Sequence, residues 1–215
     1  MSNLNAATAS IPVAQAEGPR PLGALTRPVD AEDRIAAAVR EILTALGENP
    51  EREGLRDTPD RVARMYLEVL GGLHQDPRDH LKTQFSADHH HGAVIVKDIL
   101  FHSMCEHHLL PVHGRAHVAY LPAGGRLTGL SKIARLVEGF ARRPQLQERL
   151  TDQIAQGMED ILAPEAILVV VEGEHMCMSM RGVRSPGSTT VTTVARGIWA
   201  SNSAARMEIM ALLKG

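Results

Sequence analysis

The sequence is poor in aromatic residues and in cysteine. Its 215 residues include one Trp, two Tyr and three Phe, so aromatic side chains make up only 3% of the chain. The core must therefore be built mainly from Leu, Ile, Val, Met and Ala. The two cysteines, Cys105 and Cys177, are too few for a disulfide scaffold, although a single bridge between them stays an alternative.

Neither sign of charge dominates, because 23 Lys and Arg residues oppose 25 Asp and Glu residues, for a net charge of -2. This balance argues against general nucleic-acid binding, and any anionic ligand needs a local cluster of cations. No apolar run is long enough to cross a bilayer, and the N-terminus lacks the basic region and apolar core of a signal peptide. We therefore expect a cytoplasmic protein without membrane or nucleic-acid partners, in which two thiols suit a metal better than a bridge.

The hydrophobic pattern changes along the chain. Residues 1–29 are rich in Ala, Ser, Pro and Gly without a period, which predicts a flexible tail. Residues 30–91 contain two amphipathic patterns and are predicted to form an N-terminal helical segment. Residues 92–215 have the patterns of two strands, two helices, two strands and a final helix, in that order. This order predicts an α+β core, with an antiparallel sheet covered by helices.

Local signals also predict where some of these elements begin and end. Thr58 and Pro59 are typical of the cap and the first position of the second helix. Ser131 is predicted to cap the helix that follows it. The apolar, β-branched composition of residues 166–180 predicts one long, largely buried strand.

Two short motifs combine residues that bind metals. Cys105 and His108 are separated by two residues, which is the gap that a tight turn needs to direct two ligands at one ion. His175 and Cys177 are two apart, so on a strand they would project to the same face. Thiolate and imidazole together favour zinc among the common ions. With His107, the motifs offer five candidate ligands, one more than a tetrahedral ion accepts.

The number of ligands separates two kinds of site. Two cysteines and two histidines would enclose a structural ion, whereas two cysteines and one histidine leave a position for water and therefore for catalysis. In either case at least one histidine remains near the metal and free to transfer protons. The histidine run at residues 89–91 lies in a polar loop and is predicted to be exposed to solvent rather than part of this site.

A second set of residues suits an anion. The glycine spacing around Leu130 is that of a P-loop, but Leu130 occupies the position where that motif needs lysine, so a true P-loop is rejected. The helix N-terminus near Ser131 still offers free N–H groups, and Lys132 and Arg135 follow in its first turns. Arg181 comes soon after the second metal motif. These residues suit a polyphosphate, and the alternative is that they are ordinary solvated cations.

Gln147 and Glu148 lie in the first turn of a further predicted helix. A carboxylate at this place is usually a favourable partner of the helix dipole. It can also accept two hydrogen bonds from the adjacent N1–H and N2–H groups of guanine. The residues alone leave both interpretations open.

Four motifs together resemble GTP cyclohydrolase I of the zinc-dependent type. They are CEHH, GLSKIARLV, RPQLQERLT and HMCMSMRGV, in this order and spacing. The resemblance extends from about residue 32 to the end of the chain and includes TPDRVARMY in the N-terminal helical part. It implies a tunnelling fold, in which an antiparallel sheet carries two helices on one face, and assembly into a toroidal homodecamer with active sites between subunits. It also implies GTP as substrate, with formate and 7,8-dihydroneopterin triphosphate as products.

The resemblance assigns a role to each site residue. It implies that Cys105, His108 and Cys177 bind zinc and leave one coordination position for water. His107 and His175 are then unligated catalytic histidines. The remaining matches are Ser131 as a catalytic position near the ribose, the substrate-binding positions Leu130, Lys132, Arg135, Leu146, Gln147, Glu148 and Arg181, and Arg61 from a neighbouring subunit.

Two other functions stay open beside this one. A structural zinc protein that binds a nucleotide without turning it over would enclose its ion with four side chains. A related tunnelling-fold enzyme acting on another purine or pterin would also use a carboxylate to hold the ring.

Overall fold

The computed structural model describes residues 22–86, 90 and 92–214. Its helices are α1 (Ala31–Ala45), α2 (Thr58–Val69), α3 (Leu130–Ala141), α4 (Gln147–Leu162), the single turns α5 (Met176–Ser179) and α6 (Ile198–Ser201), and α7 (Ser203–Lys214). Its strands are β1 (Gln84–Ser86), β2 (Val94–Cys105), β3 (Pro111–Leu121), β4 (Arg126–Thr128), β5 (Pro144–Gln145), β6 (Ala166–His175) and β7 (Thr189–Gly197). Short 3-10 segments lie at Gly71–His74, Pro77–Lys82 and Ala123–Gly125. No helix within the described residues has the length and apolarity needed to span a membrane.

The main sheet has five strands in the order β5-β2-β3-β6-β7. All neighbours are antiparallel except β5, which pairs in parallel with the last two residues of β2. Strands β3 and β6 are the most buried. Along β6, Val and Ile point toward one face, and Ala, Leu and Val point toward the other. A separate two-stranded sheet is formed by β1 and β4.

Helices α3 and α4 cover one face of the sheet, and their amphipathic pattern accounts for this packing. Their apolar stripes, which include Leu136, Phe140 and Ile154, pack with Ile167 and Val169 of β6 in the main core. The opposite face is covered at one end, where residues of α6 and α7 form a second cluster with β6. The predicted α+β class, with an antiparallel sheet carrying two helices on one face and preceded by a helical segment, is therefore confirmed.

Three predicted boundaries were wrong. The long strand ends at His175 instead of continuing to Met180, because its pairing with the neighbouring strands stops there. The last pair with β3 is His175 with Val112, and the last pair with β7 is Glu174 with Thr189. The chain continues as α5. Helix α2 begins one residue earlier than predicted, and helix α3 begins two residues earlier.

The cap of α3 shows the reason for the earlier start. Gly129 is the cap residue, because its backbone is extended (φ -64°, ψ 136°) and its carbonyl accepts the first helical hydrogen bond from the Lys132 N–H at 2.8 Å. Ser131 therefore lies inside the first turn. At α2, Asp57 takes the cap position and Thr58 is the first helical residue.

The described part of the predicted tail is attached to the rest of the chain. Residues 22–29 contain no helix or strand, but Leu22 packs against the core and the Leu25 N–H donates to the Leu73 carbonyl at 2.7 Å. Residues 1–21 lie outside the described residues. So do His89 and His91 of the histidine run, whereas His90 is exposed as predicted.

Arg143 connects the N-terminal segment to the sheet domain. Its side chain is only 1% exposed and donates to the carbonyls of Gly72 at 2.9 Å, Gln75 at 2.8 Å and Leu22 at 3.1 Å. The guanidinium also lies over the Phe140 ring, 5.2 Å from its centroid. One buried cation thus satisfies three carbonyls from two separate segments of the chain.

We expect Arg143→Ala to lower the free energy of unfolding by about 3 kcal/mol or more, because buried carbonyls lose charge-assisted hydrogen bonds. For a chain of this size that is a decrease in melting temperature of roughly 6–12 °C. Differential scanning fluorimetry measures it, with Arg126→Ala, an exposed arginine, as the control. Equal melting temperatures for the two variants would show that Arg143 does not hold the segments together.

Candidate metal centre and active site

The first metal motif lies on a tight turn between β2 and β3. Cys105 is the last residue of β2, and its carbonyl accepts the Leu109 N–H at 2.9 Å, while its own N–H donates to the Leu110 carbonyl at 2.9 Å. Leu109 closes the turn with a left-handed backbone (φ 50°). The turn brings Cys105 Sγ to 4.0 Å from His108 Nδ1, which confirms the expectation that the two side chains face one point.

The second motif reaches this point from the end of β6. Because His175 pairs with Val112 at the start of β3, the chain after β6 passes beside the turn. Cys177 lies in α5, and its Sγ, Cys105 Sγ and a ring nitrogen of His108 are all within 4.8 Å of one another. The strand geometry predicted for His175 and Cys177 was wrong: the helical turn directs Cys177 to the cluster, and His175 is not part of it.

The donors of this cluster suit a soft or borderline cation. Two sulfurs and one imidazole are the ligand types that zinc prefers, and three protein ligands are typical of its catalytic sites. Both cysteines are free, so the alternative of a Cys105–Cys177 disulfide is not realised.

Burial raises the pKa of the Cys177 thiol, and the neighbouring Cys105 raises it further. A bound cation removes this cost by stabilising both thiolates. Within the described residues no other group of three His, Cys, Asp or Glu side chains is close enough to hold an ion.

Two histidines remain beside the cluster. His107 is exposed and its ring lies edge-on to that of His108, with 6.3 Å between centroids. His175 is half-buried, and its Nε2 lies 2.9 Å from Gln147 Oε1. Burial lowers the pKa of His175, because it disfavours the charged imidazolium, and the nearby Glu148 carboxylate partly opposes this shift. Both side chains have the chemistry of proton donors and acceptors.

The residues predicted to hold guanine lie next to the metal turn. Gln145 of β5 pairs with Cys105, and its carbonyl accepts the Glu106 N–H at 3.1 Å, so α4 begins beside the motif. Glu148 is exposed in the first turn of α4, where its carboxylate is free to accept hydrogen bonds from a ligand. Gln147 is buried, and Leu146 precedes the helix as its cap residue.

One ion pair at this place was missed by the sequence analysis. Arg149 Nη1 and Nη2 donate to the two carboxylate oxygens of Glu106 at 2.5 and 3.1 Å, which is a bidentate contact. It fastens the metal turn to the first turn of α4. The only sequence signal was a pair of opposite charges within the CEHH and QER motifs, and nothing in either motif indicates that the two lie in contact.

The residues predicted to bind the triphosphate do not all reach the metal within one chain. The carbonyl of Ala141, the last residue of α3, accepts a hydrogen bond from Ser103 Oγ at 2.7 Å, close to Cys105. Eleven helical steps separate Ala141 from Leu130, so the other end of α3 is roughly 16 Å away. Leu130, Ser131 and Lys132 of the predicted anion set lie in the first turn at that end, whereas Arg135 lies in the second turn, about 9 Å along the helix from Ala141.

The other two predicted cations are placed differently. Arg181 lies two residues after the end of α5, and its positive charge favours the Cys177 thiolate. Arg61 is exposed on α2 and forms a 3.0 Å ion pair with Asp57 one turn earlier. One chain therefore brings the metal ligands, the spare histidines, Glu148 and Arg181 into one region, while Arg61 and the first turn of α3 are not brought into contact with it.

A cluster of two thiols and one imidazole that could hold a metal ion, with further histidines in the same motifs, is typical of a metal-dependent enzyme. The chain matches the family model for GTP cyclohydrolase I over residues 35–214. It is 58% identical over 183 residues to the GTP cyclohydrolase 1 of Bacillus pumilus (strain SAFR-032), covering 85% of this chain and 96% of the relative. It is 60% identical over 182 residues to that of Carboxydothermus hydrogenoformans, covering 85% and 94%, and 57% identical over 183 residues to that of Bacillus subtilis (strain 168), covering 85% and 96%. The chain belongs to the GTP cyclohydrolase I family, and the resemblance seen in its motifs is confirmed.

Proposed function

We propose that this protein uses zinc, held by Cys105, His108 and Cys177, to hydrolyse the imidazole ring of GTP. The products are formate and 7,8-dihydroneopterin triphosphate, and the reaction is the first step of folate and pterin biosynthesis. The observation that supports this most is a three-ligand cluster with two further histidines in the same motifs and an exposed carboxylate on the adjacent helix. The free thiols fit a reducing compartment, and we place the reaction in the cytoplasm.

Zinc at this cluster supplies Lewis-acid activation of water, which provides a nucleophile at neutral pH. The chain's own residues hold and protonate the substrate. Glu148 accepts hydrogen bonds from N1–H and N2–H of the guanine, which orients the five-membered ring toward the cluster. His107 and His175 lie beside the place where C8 then comes to rest.

The chemistry requires two hydrolytic cleavages at one carbon. Addition of water to C8 and breakage of one C8–N bond opens the ring, and hydrolysis of the second C8–N bond releases C8 as formate. Each departing nitrogen takes up a proton, and His107 and His175 are the groups placed to supply it. The ribose then opens, rearranges and closes onto a released nitrogen to form the dihydropterin ring. Several proton transfers at one site explain why two histidines remain unligated.

We infer further that the active site is completed by neighbouring copies in a toroidal homodecamer. Along α3, Lys132 lies about 14 Å and Arg135 about 9 Å from Ala141, at the end of the helix that contacts the metal strand. The triphosphate of a substrate bound at the cluster therefore needs these cations, and Arg61, from another chain.

Two surfaces of the chain support such an assembly. The outer edge of β7 is unpaired, and β5 covers only the last two residues of β2, so both edges of the main sheet are open within the described residues. An open edge of this length presents unpaired N–H and C=O groups with which a strand of another copy can pair. In addition, apolar residues at the end of α1 lie in solvent, with Ile42 of the helix 58% and its cap residue Leu46 77% exposed. These features fit a ring in which sheets continue from copy to copy.

Incubation with GTP labelled with ¹⁴C at C8 tests the proposed reaction. With one zinc per chain, we expect labelled formate and a pterin that fluoresces after oxidation, in equal amounts. A protein that binds GTP but releases no formate would be the structural zinc protein of the alternative. Turnover of another purine or pterin in preference to GTP would identify a related enzyme.

A further inference from the structure

The amide of Gln147 is held in one orientation by the protein. The side chain is only 4% exposed. Its Nε2 donates to the carbonyls of Val171 at 3.0 Å and Thr190 at 2.8 Å and to Thr192 Oγ1 at 3.2 Å. The two backbone carbonyls can only accept, so the amide end that faces them must be the NH₂ group. The amide oxygen is thereby directed to the other side, toward His175.

This orientation determines which nitrogen of His175 carries a proton. Gln147 Oε1 can only accept, and it lies 2.9 Å from His175 Nε2. A hydrogen bond at this distance requires that Nε2 is the donor. In the neutral imidazole, the other nitrogen, Nδ1, then has a free lone pair. Among the described residues, no hydrogen bond to Nδ1 is formed.

We propose that Gln147 is a positioning residue, which keeps the proton of His175 on Nε2 so that Nδ1 exchanges protons with the substrate. The proposal rests on the function proposed above. Nδ1 accepts a proton when water adds to C8 and returns it to the nitrogen that leaves C8, so the histidine is unchanged after each cleavage. Nε2–H stays bonded to Gln147 throughout, and the imidazole cannot change tautomer or rotate without breaking this bond.

This role differs from the guanine contact that the resemblance implies for Gln147. Both amide hydrogens of Gln147 already serve three protein acceptors, so no N–H of this side chain is left to hold the guanine oxygen. A residue that binds guanine affects KM when it is removed, whereas a residue that orients a proton-transfer group affects kcat. The two roles therefore predict different kinetics for the same substitution.

Gln147→Met, compared with Gln153→Met, tests the proposal. Gln153 is a matched control, because it is also a buried glutamine of α4, but its Oε1 accepts from Gln145 Nε2 at 2.8 Å instead of contacting a histidine. We expect Gln147→Met to lower kcat roughly 100-fold with KM for GTP within about threefold of wild type. Gln153→Met should keep the wild-type kcat even if its melting temperature falls by a similar amount. A raised KM with unchanged kcat for Gln147→Met would overturn the proposal.

Neutron diffraction of the deuterated wild-type holoenzyme gives a second, activity-independent result. We expect a deuteron on His175 Nε2, directed at Gln147 Oε1, and this result does not depend on the folding of any variant. A deuteron on Nδ1 alone would contradict the proposal. The ¹⁴C-formate assay of the wild type decides separately whether the proposed reaction occurs, so a wrong tautomer and a wrong function are distinguishable.

Discussion

Cys105→Ser and Cys177→Ser are each expected to abolish zinc binding and formate release. A serine hydroxyl stays protonated at neutral pH and is a poor ligand for a borderline-soft ion, so one substitution leaves only two protein ligands. Zinc content should fall from about one ion per chain to near zero, and kcat by roughly 10³-fold or more, since metal activation contributes several kcal/mol. Plasma mass spectrometry and the ¹⁴C-formate assay measure the two quantities on the same samples.

His107→Ala is the matched control for these variants. His107 lies within the same turn but outside the cluster, so this variant should keep about one zinc per chain while losing roughly 100-fold in turnover. The pair of results separates holding the metal from moving protons. Formate release by zinc-free Cys105→Ser protein at the wild-type rate would contradict the proposed role of the metal.

Co-expression of two inactive variants is expected to restore activity. The first is Cys105→Ser, and the second combines Lys132→Ala with Arg135→Ala, which removes two charge contacts to the triphosphate. If a site takes its metal from one chain and these cations from another, some sites in a mixed oligomer contain no altered residue. For equal, random mixing of two contributing chains, at most about a quarter of the sites are intact, and we expect activity to approach that fraction.

A second mixture controls for this prediction. Cys105→Ser and Cys177→Ser both damage the metal half of the site, which one chain supplies alone, so mixing them should restore nothing. If the mixture of metal and cation variants also stayed inactive while forming mixed oligomers, the cations would have to act within their own chain. The triphosphate would then have to reach these cations along α3 of the same chain.

The sequence was sufficient for those features that depend on short-range patterns. The apolar stripes of α3 and α4 repeat at helical spacing, and the same residues pack in the core. The gap between Cys105 and His108 was enough to predict a turn that brings two ligands together. The five candidate ligands also predicted that at least one histidine stays unligated, but only the family resemblance implied which ones, His107 and His175.

Features that depend on distant partners could not be predicted in the same way. Residues 166–180 have strand composition throughout, but β6 ends where β3 and β7 stop pairing with it, and neither limit is encoded locally. The contact between Glu106 and Arg149 depends on the parallel pairing of β5 with the end of β2. The orientation of Gln147 depends on carbonyls of β6 and β7, which no motif around residue 147 reveals.

Zinc-edge X-ray absorption of the wild-type holoenzyme tests the central claim most directly. That claim is that side chains from two distant segments bind one ion and leave a coordination position open to solvent. We predict a first shell of two sulfurs, one imidazole nitrogen and one light-atom ligand that changes when GTP binds. A shell of two sulfurs and two imidazole nitrogens, unchanged by GTP, would contradict the account.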